Sequence, residues 1–157
     1  MNTRDLLGKF NSAVGRAVKS VGSKSWTEHY KGHYEAEAGS RFDKIMRSSN
    51  KAAITLGDVV LYVNGGFNEV RRAHEEVHVR QAKKHGIMFF VNYGLASLKA
   101  MVTGKHYYRD NQFEIEAELV EGVVRDTLNG DSAKIVAQRY GISLTRVEAI
   151  MTHHNSH

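Results

Sequence analysis

Cysteine and proline are both missing from this chain of 157 residues. Without cysteine there are no disulfides and no thiolate ligands, so any bound metal must rest on His, Asp or Glu. That absence suits the cytosol without requiring it. Without proline, punctuation falls to the 14 glycines and to polar turn residues. Long apolar runs are lacking too: the nearest to a membrane span, Ile87 to Val102, is interrupted by Asn92 and Lys99. The N-terminus has neither the compact apolar stretch nor the small-residue cleavage site of a secretory leader. The expectation is a chain made without export, cytoplasmic by default.

What is present has the balance of an ordinary globular protein, 41% hydrophobic and 25% charged. The length suits one domain with a real core and a small appendage. A formal charge of +5 favours anionic surfaces, which is an electrostatic bias and not a function.

Three zones follow from composition and periodicity. Residues 1–50 are basic, rich in Gly and Ser, and mostly helical in pattern. Leu6, Leu7, Phe10, Val14, Ala17, Val18 and Val21 recur at three- and four-residue steps, with Lys9, Arg16 and Lys19 elsewhere on the wheel. Residues 1–24 therefore suit either an acidic membrane surface or packing against the domain; Gly8, Gly15 and Gly22, which weaken a free helix, favour packing. His29 and His33 are four apart, but Gly32 interrupts them and the stretch is read as a surface segment.

Residues 51–128 carry the chemistry. Ile54 to Gly57 and Val59 to Val63 are expected as strands around Gly57-Asp58. A helix follows from Asn68, a good N-cap, with Glu69 in its first turn and Gly86 as its stop after Lys83-Lys84-His85. A second, more apolar helix covers about 87–102, and a third runs from near Asn111 towards Leu128. Residues 129–157 form two short helices around Tyr140-Gly141-Ile142-Ser143, then a polar tail with His153, His154 and His157. The expected fold class is α+β and mainly helical.

His74-Glu75-Glu76-Val77-His78 falls inside the first of these middle-zone helices. Residues four apart lie about 40° apart around a helix and one turn along it, so both imidazoles can reach one ion. Glu75 projects from the flank of the pair, placed to take a proton from a metal-activated water. A solvated charged face would give the same five letters, so a third ligand has to be found. Position 84, ten after His74, is Lys84, and His85 lies about 10 Å along the axis from His78, too far for the same ion. Asn111-Gln112-Phe113-Glu114-Ile115-Glu116-Ala117-Glu118 offers Glu114 and Glu118 one turn apart on one face, with Glu116 turned about 160° away.

With these two helical motifs in this order, residues 54–121 resemble the glutamate-type zincins, which are His-Glu-x-x-His zinc metallopeptidases. The resemblance implies Zn2+ held by His74, His78 and Glu114, with Glu75 as general base. It makes Glu118 the carboxylate that supports a ligand histidine from behind, although the family usually has Asp or Asn there. It also implies an edge strand beside the active-site helix, for which Val59 to Val63 is the candidate, pairing with a peptide or protein substrate. Tyr108, with Tyr107 beside it, is a candidate donor to a developing oxyanion, the alternative being plain packing.

Val136, Ala137, Gly141, Ile142, Val147 and Ile150 are spaced like a helix-turn-helix, so residues 132–152 are a candidate nucleic-acid contact or a structural hairpin. Arg146 opposed by Glu148 is thin equipment for reading a groove. Two functions therefore stand: a small zinc metallopeptidase, or a binding or assembly protein, such as a virion or regulatory component, whose zincin-like core is structural.

Overall fold

A computed structural model describes Ala13, the backbone of residues 23–30, and residues 32–48, 50–86, 88–89 and 111–156. Among these residues the protein is mainly helical α+β. In chain order the elements are β1 (Ser23–Tyr30), β2 (His33–Ala38), α1 (Ser40–Ser48), β3 (Ala53–Leu56), β4 (Val59–Tyr62), α2 (Glu69–His85), α3 (Gln112–Leu128), α4 (Ala133–Tyr140) and α5 (Leu144–Asn155). The amphipathic pattern of residues 1–24 lies almost wholly outside the described residues. So do Tyr107, Tyr108 and, apart from Met88 and Phe89, the second apolar helix. No helix among the described residues is long and apolar enough to cross a membrane.

The strands form one sheet in the order β1-β2-β4-β3, with β2 parallel to β4 and both outer pairs antiparallel. Val59, Val60, Leu61 and Tyr62 are all buried to 1% exposure or less, because the sheet is covered on both faces. Ala36, Ala38, Val59, Leu61 and Val63 pack with Met46 of α1 on one side. Ala53, Val60 and Tyr62 pack with Val79 of α2 on the other. An unbroken apolar run of this kind belongs inside a sheet, and this corrects the expectation that Val59 to Val63 is an edge strand. Among the described residues the outer strands are β1 and β3.

The hairpin of β1 and β2 corrects two further expectations. Residues 23–30 and 33–38 are strands, not part of a helical zone, and His33 is 2% exposed, not on the surface. Tyr34-Glu35-Ala36-Glu37-Ala38 does alternate with period two, but one of its faces is polar and still points inward. Glu35 accepts from Arg72 Nη2 at 2.8 Å and from Tyr62 Oη at 3.1 Å, and His33 Nε2 is 3.3 Å away. Burial works against its charge, but the bonds from His33 and Arg72 outweigh it and hold the carboxyl below its usual range. Since β2 pairs directly with β4, the boundary drawn at residue 50 runs through a single sheet.

α2 forms as its caps dictate. Asn68 Oδ1 accepts from the Arg71 amide at 2.7 Å, and Gly86 closes the far end at φ 60°. Ala73 and Val77 of α2 meet Ala117, Val120 and Val124 of α3, while Val123 packs with Val136, Ala137 and Val147 of the C-terminal pair. Gly141 makes the turn between α4 and α5 in the left-handed region, φ 64°. α5 runs further than expected: His153 and His154 belong to it rather than to a tail, and His154 is buried.

Candidate metal centre

The Asn68 cap fixes where α2 starts, and packing on β4 and α3 fixes which face turns inward. His74 and His78 are then stacked one turn apart, with Nε2 atoms 3.2 Å from each other. From α3, Glu114 places Oε2 3.4 Å from His74 Nε2 and Oε1 3.6 Å from His78 Nε2. The three residues are 7%, 7% and 3% exposed, and one ligand atom of each lies within 4.8 Å of the others. They form a buried group that could hold a metal ion.

The surroundings fit that use. Burial opposes a charge on His74, yet the Glu114 and Glu121 carboxylates beside it, with Glu75 nearby, push its pKa up to about 10. Positive charge is strongly stabilised at this point in the fold. Two imidazoles and one carboxylate are also a donor set matched to a four-coordinate ion with one position left open.

Each ring is engaged on its other nitrogen as well. His74 Nδ1 is 2.9 Å from Glu121 Oε2, and His78 Nδ1 is 2.9 Å from Gln81 Oε1. Gln81 Nε2 donates to the Phe113 carbonyl at 3.1 Å and to Glu116 Oε2 at 3.0 Å. Glu118, which the zincin resemblance makes the support of a ligand histidine, is instead exposed. The reason is the orientation of α3. Ala117, Val120 and Val124 set its inward face, and relative to Glu114 they lie about 60°, 120° and 80° to one side. Glu121 lies about 20° to that same side, two turns along, whereas Glu118 lies about 40° to the other.

Glu75 leaves α2 on the flank facing the sheet. It is 7% exposed, and its Oε2 accepts a 2.6 Å hydrogen bond from Thr55 Oγ1 of β3. Thr55, Gln81 and Glu121 went unnoticed in the sequence. Only the apolar stripe of α3 pointed to Glu121, and nothing local pointed to the other two. His85 stacks edge-on to Phe113, ring centroids 5.9 Å apart, and stays outside the group. His153 Nε2 lies 3.9 Å from Glu76 Oε2, also away from it.

No protein-family model matches this chain, and no curated protein or solved structure matches it either. The functional reading therefore rests on the chemistry of the buried group and its neighbours.

Proposed function

We propose that this protein is a small zinc metallopeptidase in which His74, His78 and Glu114 hold the metal and Glu75 is the general base. The observation that carries the reading is the convergence of those three side chains beside a buried Glu75. Zinc held there would supply Lewis acidity. The protein's own groups do the rest. Thr55 Oγ1 holds Glu75 Oε2 in place, and Glu75 Oε1 takes the proton of the attacking water and passes it to the nitrogen of the leaving amine.

The outer strand β3 gives the substrate its place. The Val63 amide donates to the Ala52 carbonyl at 3.0 Å, so residues 52, 54 and 56 turn their backbone groups towards β4. Ala53 and Thr55 turn theirs away from β4, to the side where no further strand lies among the described residues and an extended peptide can pair with them next to Glu75. A role in nucleic-acid binding has less behind it: Arg139 is engaged by Asp126 and Asp131, and Arg146 shares α5 with Glu148.

The test is a metal-quantified preparation of wild type and Glu75→Gln assayed on an unfolded protein. Cleavage by wild type alone, with equal zinc in both, supports the reading. Zinc-loaded wild type that cleaves no unfolded or peptide substrate overturns it.

A further inference from the structure

His78 Nδ1 faces Gln81 Oε1, and which end of that amide faces the ring follows from its other contacts. Gln81 Nε2 is directed at two groups that only accept, the Phe113 carbonyl and the Glu116 carboxylate. The amide oxygen is therefore the atom turned to His78. An amide oxygen cannot donate, so Nδ1 of His78 carries the proton, and Nε2, on the side of Glu114, keeps the lone pair that could ligate a metal. At His74 the group facing Nδ1 at 2.9 Å is a carboxylate, which likewise only accepts, so Nδ1 carries a proton there too.

Both partners are themselves held. Gln81 is 6% exposed and bridges α2 to the first turn of α3. Glu121 has the Arg125 guanidinium 4.0 Å from its other oxygen, one turn further along α3. Contacts of Gln81 with Phe113 and Glu116, and of His74 with Glu114 and Glu121, make the two helices antiparallel. The two rings are thus steadied at separate levels of one helix pair.

We propose that Glu121 and Gln81 are positioning residues of the metal centre, each fixing one imidazole with its Nε2 inward, and that Glu118 has no such part. The proposal deepens the zinc reading above and rests on it for the identity of the ion. An outward-facing polar partner of this kind steadies a ligand ring before the ion arrives, and its loss weakens binding roughly 10- to 100-fold.

The experiment has two arms. Zinc affinity, measured by competition with a chromophoric chelator, is expected to fall roughly 10- to 100-fold in Glu121→Ala and Gln81→Ala and to change less than about twofold in Glu118→Ala. Metal-free melting temperatures of the same variants separate ring positioning from damage to the fold, and Glu121→Gln, whose amide oxygen can still accept from Nδ1, is expected to recover most of the affinity. Nitrogen-15 spectra of metal-free protein are expected to show exchange-protected Nδ1 protons on His74 and His78, lost singly in Glu121→Ala and Gln81→Ala. Affinity that falls as much in Glu118→Ala, or Nδ1 protons that persist in the alanine variants, overturns the proposal. If wild type binds no zinc, the peptidase reading fails, and positioning is decided by the spectra.

Discussion

Thr55 Oγ1 and Glu75 Oε2, from the outer strand of the sheet and the middle of α2, are joined by a 2.6 Å hydrogen bond between two buried side chains. Thr55→Val keeps the shape and removes the donor, leaving a buried carboxylate oxygen without it, at a cost of about 1.5 to 3 kcal/mol. Turnover is expected to drop by roughly an order of magnitude, while zinc content is unchanged because no ligand is touched. Paired zinc analysis and peptide-cleavage rates check this; equal rates would remove Thr55 from the mechanism.

Purified protein is expected to hold about one zinc per chain, from two imidazoles and a carboxylate. His74→Ala and His78→Ala should each abolish it, and Glu114→Ala should weaken it far more than Glu116→Ala, whose carboxylate only receives Gln81 Nε2. Metal analysis after dialysis measures this directly. Stoichiometric zinc in either histidine variant contradicts the site.

Glu75→Gln should keep both zinc and fold, because shape is preserved and no ligand bond is lost. It should slow hydrolysis by about 10² to 10⁴, since a neutral amide cannot accept the proton of the attacking water. Loss of zinc in this variant would instead make Glu75 a ligand or a structural support.

Glu35 gives a pH dependence unconnected with the metal. Its folded carboxyl lies below the ordinary value of 4.5, so the stability it contributes is complete above that value and is lost as pH falls through the folded one. Denaturant unfolding from pH 7 to pH 3 is expected to show this acid-side fall, and Glu35→Gln to flatten it. At pH 7 the same substitution should cost on the order of 3 kcal/mol, because Arg72 loses its closest partner.

Gly122 permits α3 and α4 to approach: a Cβ there would sit 2.7 Å from Tyr140 Cζ, in a ring whose hydroxyl bonds Asp126 at 2.9 Å. Gly122→Ala should therefore lower stability by about 1 to 2 kcal/mol, despite the helix propensity it gains. Adding Tyr140→Ala should relieve the clash; a double variant whose losses simply add would count against it.

Much of this architecture was legible because its signals were local. Asn68 and Gly86 bracket α2, Gly57 and Gly141 mark turns, and the His74–His78 spacing needs nothing beyond a helix. Glu114 was legible through a resemblance between motifs. What escaped depends on partners distant in sequence. β2 has an inward-facing carboxylate, and Glu35 looks like a solvent residue until Arg72, 37 positions later, is seen beside it. The edge position expected of β4 comes from the motif resemblance, whereas its unbroken apolar run points to the interior of a sheet. Glu118 follows from the motif resemblance alone, which takes the residue four after Glu114. Which step meets His74 depends on how α3 is rotated by Ala117, Val120 and Val124.

The parallel pairing of β2 with β4 bears on how this protein can be divided. A fragment beginning at residue 51 would keep His74, Glu75, His78 and Glu114, yet it would strip β4 of one neighbouring strand and Arg72 of Glu35. The newly bare row of amides and carbonyls beside Val59 to Tyr62 would be a short but wholly apolar template for self-association. The smallest piece that carries the metal group as a folded unit therefore begins ahead of His33, although no residue before Thr55 touches the histidines, Glu114 or Glu75 in the contacts described above.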